Sequence, residues 1–288
     1  MMECKKALSE TENDYEKATE WLRKNGSAKA ASKLAGRDAT EGLVGIAFDE
    51  HANGNGNGNT AKASIVRVAS ETDFASRSED FANLVGIVAN GALVDADLEG
   101  IMKVVQRNNN GKTAKTVKDA LDEAILAIRE NLQIAGVEQI VASSKDSVLT
   151  GYVHGKVVND SNAGTAAAVV ELLPKKTECA LSKEEIVEFG RKLAMHIVAA
   201  KPSYLNPEDV PAHVLEKEKQ FLMEQMADTG KPPEILEKIV VGRMRKFYEE
   251  VCLMEQAHML EEGNPKVSKA LNDLGLELVT FKSNFIHS

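Results

Sequence analysis

Gly42-Leu43-Val44-Gly45-Ile46-Ala47-Phe48 and Ala63-Ser64-Ile65-Val66-Arg67-Val68-Ala69 are apolar runs of strand length, separated by a loop. The same plan returns later as Leu149-Thr150-Gly151-Tyr152-Val153-His154-Gly155, a loop, and Ala166-Ala167-Ala168-Val169-Val170-Glu171-Leu172. Both second strands open on Thr-Ala-x-Ala, from Thr60 and from Thr165. After each comes a helix that opens near a phenylalanine, Phe81 or Phe189, and runs into an Ala/Val/Ile-rich tail ending at Ala89 or Ala200. A strand hairpin that packs a helix, written twice, predicts an α+β core of two subdomains with antiparallel sheets, residues 41–141 and 142–288.

Towards the C-terminus the period lengthens. Val214, Leu215, Phe221, Leu222 and Met226 form one helical stripe, and Leu236, Val240, Met244, Phe247 and Val251 another. Thr229-Gly230-Lys231-Pro232-Pro233 between them must turn. Residues 212–251 therefore read as an αα-hairpin projecting from the core, with Glu277-Leu278-Val279-Thr280-Phe281 as a last strand.

Towards the N-terminus, Met1-Met2-Glu3-Cys4-Lys5-Lys6-Ala7-Leu8 is already helical in pattern, with no capping residue before it. A second helix runs from Asp14, an N-cap, to about Lys24, with Ala18, Trp21 and Leu22 inward and Gly26 at its end. These make a small helical module, residues 1–26, followed by a basic linker, 27–40. The abrupt start reads as a truncated or processed chain. His51-Ala52-Asn53-Gly54-Asn55-Gly56-Asn57-Gly58-Asn59 is low-complexity. Gly54-x-Gly56 lacks the third glycine and the following helix of a dinucleotide site, so the run reads as a dispensable hairpin tip.

Composition narrows the function. Lys and Arg number 35 against 44 Asp and Glu, a net charge of −9, and only 5% of residues are aromatic. Broad contact with a phosphate backbone or stacked bases is disfavoured. No stretch has the roughly 18 apolar residues of a membrane span. Cys4, Cys179 and Cys252 are odd in number and far apart, with no CxxC, which fits a reducing compartment. No nucleophile elbow, HExxH or calcium loop occurs. His213-x-x-Glu216 and His258-x-x-Glu261 have ligand-compatible spacing but lie among many glutamates and read as solvated faces. The enzyme reading lacks a motif, and no cofactor is implied.

Several segments carry a resemblance, in order along nine tenths of the chain. They are the first helix, Glu71-Thr72-Asp73-Phe74-Ala75-Ser76-Arg77 with Phe81, Gly151-Tyr152-Val153-His154-Gly155, and Ala194-Met195-His196-Ile197-Val198-Ala199-Ala200-Lys201-Pro202. Asn206-Pro207-Glu208-Asp209-Val210, Gly230-Lys231-Pro232 and Gly242-Arg243-Met244-Arg245-Lys246-Phe247 continue it. Together they resemble translation elongation factor Ts, the guanine-nucleotide exchange factor for elongation factor Tu. The resemblance implies a ubiquitin-associated-like N-terminal module lacking its first helix, a two-subdomain core and a projecting hairpin. It departs at Arg129, where the Gly-Glu-Asn turn of the family reads Arg129-Glu130-Asn131, and in the tail Phe281-Lys282-Ser283-Asn284-Phe285-Ile286-His287-Ser288.

The resemblance implies no catalytic residue and no metal. It implies that the chain binds Tu in nucleotide-free and GDP forms, and that Asp73 and Phe74 disturb the magnesium and phosphate site. Met1, Met2 and Lys5 would make a second contact, Ile128 and His154 core contacts, and Met259 with Leu260 a contact after the hairpin. Read from chain chemistry alone, Ser70-x-x-Asp73 is instead a capping box and Phe74 a core residue. His196 is expected to pack within its helix. An adaptor that binds peptide or ubiquitin-like partners through the N-terminal module is the alternative function. Neither direct nucleic-acid binding nor a membrane is expected. The Asn/Gly insertion and the start of the chain favour the mitochondrial matrix, with bacterial cytoplasm or plastid stroma as alternatives.

Overall fold

Two antiparallel hairpins, each long enough to be buried on both faces, organise the fold. The computed structural model describes residues 2–19, 21–22, 34, 36–49, 60–106, 115–159, 161–175, 178–227 and 233–287. Met1, most of the linker, the Asn/Gly run and the hairpin turn at 229–232 lie outside them. The first part of the chain contains α1 (Met2–Glu10), β1 (Glu41–Phe48), β2 (Lys62–Ser70), α2 (Asp73–Ser76), α3 (Glu79–Ala92) and α4 (Leu98–Ile101). Then come β3 (Val105–Gln106), β4 (Lys115–Thr116), α5 (Val117–Ile128), β5 (Gln133–Val141), β6 (Val148–His154), β7 (Ala163–Gly164) and β8 (Ala166–Pro174). The rest is α6 (Lys183–Ala200), α7 (Ala212–Ala227), α8 (Pro233–Val251), α9 (Val267–Asp273) and β9 (Leu276–Phe285).

The larger sheet has the order β5-β2-β1-β7 and the smaller one β6-β8-β9, all antiparallel. β7 follows β6 in sequence, yet it joins the first sheet, with Gly164 opposite Val44. The strands do not alternate apolar and polar because both faces are covered. On β1 and β2, Leu43, Ala47, Val66 and Val68 pack under α3 and α5, while Val44, Ile46, Ala63 and Ile65 face the second sheet. On β8, Ala167 and Val169 face the first sheet, while Ala168, Val170 and Leu172 pack under α6. The core is thus four layers deep: helices, sheet, sheet, helices.

Each helix settles on its sheet at a glycine. A Cβ on Gly45 of β1 would lie 2.5 Å from Val85 Cγ1 of α3. A Cβ on Gly190 of α6 would lie 2.3 Å from Thr150 Cγ2 of β6. The buried Glu171 of β8 is satisfied, since its Oε1 accepts Ser143 N–H at 2.6 Å and the hydroxyls of Ser143 and Ser147 at 2.7 and 2.8 Å. This carboxylate pins the turn that joins the two sheets.

α5 starts on a reciprocal capping box, Thr116 with Asp119, and ends at Arg129 with φ 64°. An L-residue held left-handed costs roughly 1–2 kcal/mol. Arg129→Gly should therefore raise stability by about 0.5–1 kcal/mol after the added freedom of the unfolded chain is subtracted, measurable as a higher denaturant midpoint.

The helical hairpin has an apolar cluster of its own. Leu222, Val240 and Met244 are buried, with Leu215, Leu236, Ile239, Phe247 and Tyr248 against them. Phe221, read from the sequence as part of the stripe, is 53% exposed, because its position on α7 turns it away from α8. The hairpin base is fixed by Val251 C=O, which accepts the N–H groups of Ser203 and Tyr204 at 2.9 and 3.0 Å. Leu222→Asp should therefore speed amide exchange along α7 and α8 while the core strands stay protected; Phe221→Asp should leave exchange unchanged in both.

In the N-terminal segment, Asp14 Oδ1 accepts Lys17 N–H at 3.1 Å, and Ala7 and Ala18 are buried. Among the described residues of this segment, helix occurs in α1 and over 15–19 and 21–22.

Candidate partner-binding site

Phe74 is 83% exposed, on a helix of only four residues. The core reading of this residue is therefore overturned. Its neighbour in the sequence, Phe81, takes the core position instead, at 0% exposure on α3. The capping reading also changes. Thr72, not Ser70, is the N-cap of α2, its hydroxyl accepting Ala75 N–H at 3.3 Å, while Ser70 Oγ donates to Thr72 C=O at 3.0 Å. Asp73 stands in the first turn of α2 and pairs with Arg77 at 3.1 Å. Both side chains are well exposed, so the pair adds little stability.

Five polar residues hold this turn, and the pattern of the sequence did not mark them as a group. Glu130 Oε2 accepts Thr72 N–H at 3.0 Å, and its Oε1 accepts the Thr72 hydroxyl at 2.6 Å. In return, Glu71 Oε1 accepts Asn131 N–H at 2.6 Å. Asn131 Nδ2 donates to Arg37 C=O at 2.7 Å, and Arg37 reaches Glu71 at 3.4 Å. The only sequence signal was that polar pairs, Glu71-Thr72 and Glu130-Asn131, sit where elements end.

Beside α2 runs a groove of about 650 Å³ lined by Asp73, Ser76, Arg77, Glu41, Gly155 and Thr165, among others. His154 is exposed at the end of β6, next to Gly155, with its Nδ1 3.3 Å from the Tyr152 hydroxyl. Ile128, half-buried, closes α5 two residues before Glu130. Asp73 and Gly155, the neighbour of His154, thus line one groove, and Ile128 stands two residues before the Glu130 that bonds Thr72. Lys5 is exposed on a separate element, α1. Met2 lies in the same helix, and Met1 falls outside the described residues.

Met259 and Leu260, 58% and 42% exposed, form a second patch on the loop after the hairpin. Two buried imidazoles lie beneath it. His196 Nδ1 accepts Met259 N–H at 3.4 Å, and His258 Nδ1 accepts Leu260 N–H at 3.2 Å. His196 Nε2 then donates to Gln256 Oε1 at 3.0 Å. His196 therefore packs inside the chain, as expected from the sequence. His258 Nε2 is buried without a hydrogen-bond partner, and the two rings lie 5.3 Å apart.

Burial first, then the neighbouring His196, pushes the His258 imidazole down to about 4; burial also lowers His196. The folded value lies below the unfolded one, so stability is complete above about pH 6.5 and is lost as pH falls from there towards 4. His258 alone should cost about 2 kcal/mol by pH 5 relative to pH 7.5. His258→Phe should flatten that slope in denaturant melts, because it removes the orphaned nitrogen and keeps the ring.

Catalytic chemistry finds little to use here. Among the described residues no group of three or more His, Cys, Asp or Glu could hold a metal ion. Burial, with Glu255 and other acids nearby, raises the Cys252 thiol to about 11, which makes it inert as a nucleophile. Among the same residues no helix is long and apolar enough to cross a membrane.

The comparisons agree on one family. The family model for elongation factor TS matches residues 71–285, which includes Asp73, Phe74, Ile128, His154, Met259 and Leu260. The chain is 40% identical to elongation factor Ts of Paramagnetospirillum magneticum over 279 residues, 96% of the chain and 81% of that protein. It is 40% identical to elongation factor Ts of Bartonella bacilliformis, over 93% of the chain and 79% of that protein. With elongation factor Ts of Rhizobium etli it shares 38% identity, over 94% and 79%. All three relatives are bacterial, and they lend no support to the mitochondrial placement favoured by the insertion and the start of the chain. On a family match across most of the core and on identities near 40% over more than nine tenths of its length, the chain belongs to the elongation factor Ts family of translation elongation factors.

Proposed function

We propose that the chain binds elongation factor Tu carrying GDP and speeds GDP release by disturbing the magnesium and phosphate site, so that GTP can rebind. The observation that carries this reading is Phe74, an aromatic ring 83% exposed on a turn fixed by hydrogen bonds to another part of the core. An apolar ring held out in water gains its burial energy only in a complex, roughly 1.5–3 kcal/mol for a side chain of this size. Asp73 beside it supplies a charge for the partner's phosphate-side helices. Ile128 and His154 add further contacts. Met259 with Leu260, and Lys5 with Met2 on the first helix together with Met1 before it in the sequence, add two more patches.

Linkage supplies the mechanism. A factor that binds nucleotide-free Tu more tightly than nucleotide-bound Tu must weaken nucleotide binding in the same ratio. No bond is made or broken, so the chain acts as an exchange factor and needs no acid, base or metal of its own. The test is release of fluorescent GDP from Tu, with and without the chain. A release rate that does not change as the chain is added sinks the proposal.

A further inference from the structure

The turn that carries Phe74 cannot hold itself. α2 is a single turn, and an isolated helical turn is unfavourable because several dihedrals are fixed for one hydrogen bond. Its order comes instead from the end of α5, where Arg129 reverses the chain in a left-handed conformation and Glu130 follows. The Glu130 carboxylate uses both oxygens on one residue: Oε2 on Thr72 N–H at 3.0 Å and Oε1 on the Thr72 hydroxyl at 2.6 Å. The same hydroxyl accepts Ala75 N–H at 3.3 Å, so a single Thr72 side chain ties α2 to α5 and caps it. Glu71 makes the return contact, to Asn131 N–H at 2.6 Å. Two adjacent residues on one turn thus exchange hydrogen bonds with two adjacent residues on another. Bonds to an ionised carboxylate are roughly twice as strong as neutral ones.

We propose that Glu130, acting through Thr72, is a positioning residue that fixes the Asp73–Phe74 turn in its binding shape before the partner arrives. The proposal rests on the reading of Phe74 as a contact with elongation factor Tu. The chemistry demands a glutamate: two donors converge on two acceptor oxygens. A glutamine would satisfy one donor and set its own N–H group against the other. A turn released from this clamp populates the competent shape only part of the time, and the apparent affinity falls by that fraction.

The full chain is the material for the test. GDP release from Tu is titrated with Thr72→Val, Thr72→Ser, Glu130→Gln and Phe74→Ala, alongside melting temperature and amide exchange at Asp73–Ser76. Thr72→Val and Glu130→Gln should raise the concentration needed for half-maximal release about tenfold while the rate at saturation stays near native. Their amides at Asp73–Ser76 should exchange faster, with the melting temperature within a few degrees of native. Thr72→Ser, which keeps the hydroxyl, should restore all of these values. A native half-maximal concentration in Thr72→Val, with Phe74→Ala impaired, overturns the clamp and leaves the role of Phe74 standing. Loss of binding that only follows a fall in melting temperature overturns it as well, by making the bonds merely structural. Normal release by Phe74→Ala sinks the reading on which the proposal rests, and the proposal with it.

Discussion

Phe74→Ala should slow elongation factor Ts-type GDP release from elongation factor Tu by about tenfold or more, since an anchor buried only in the complex is worth about 2 kcal/mol. The same variant should melt almost where the native chain does. Removing a ring that is 83% exposed takes nothing from the core, and surface changes of this kind stay within about 0.5 kcal/mol. Stopped-flow release and a thermal melt on one preparation decide the matter. Normal release by the folded variant would remove Phe74 from the site. Asp73→Ala should move release in the same direction, with little effect on stability because its partner Arg77 is largely in water.

Phe81→Ala should reverse that pairing. The ring is wholly buried in the first turn of α3, in the cluster that contains Leu43, Val66 and Leu84. Truncation leaves a cavity beneath the helix and should cost about 3–5 kcal/mol. The fraction that remains folded should still release GDP at the native rate, because nothing at α2 has changed. Denaturant unfolding gives the first number and release corrected for folded fraction gives the second. A loss below about 1 kcal/mol would mean that α3 does not close the first core layer.

These two phenylalanines show how far the sequence can be read. The strands centred on Val44, Val66, Val153 and Val169 were legible because burial on both faces writes an unbroken apolar run. The helices after them were legible from Phe81 and Phe189 with their Ala/Val/Ile tails. β5 was not, because this edge strand is half-buried along most of its length and its sequence, Gln133-Ile134-Ala135-Gly136-Val137-Glu138-Gln139-Ile140-Val141, mixes polar with apolar residues. The choice between wedge and core at Phe74 could not be made from local pattern. A capping residue at Ser70 or at Thr72 fits the same letters; the Ala75 N–H bond to the Thr72 hydroxyl decides the cap, and the exposure of Phe74 decides wedge against core. The hairpin stripe failed at Phe221 for a related reason: a stripe wider than the partner helix leaves its edge in water. The imidazole pair beneath Met259 and Leu260 joins residues 196 and 258, a pairing that no spacing in the sequence announces.

The layer between the two sheets mixes small side chains, Ala61, Ala63, Ala142 and Ala167, with the branched Val44, Ile65, Leu149 and Val169. Even a methyl group at Gly151 would come within 3.2 Å of Phe48 and 3.3 Å of Ile46 on the facing sheet. Backbones packed that closely have little room to shear, so the scaffold behaves as a stiff body. Force applied at one end of it meets a short, hard path through both sheets. In a contact between two proteins the more compliant partner takes most of the strain. On the proposed function, a ring driven from such a base would distort the groove it enters, and elastic work done at the contact would be stored in the other protein.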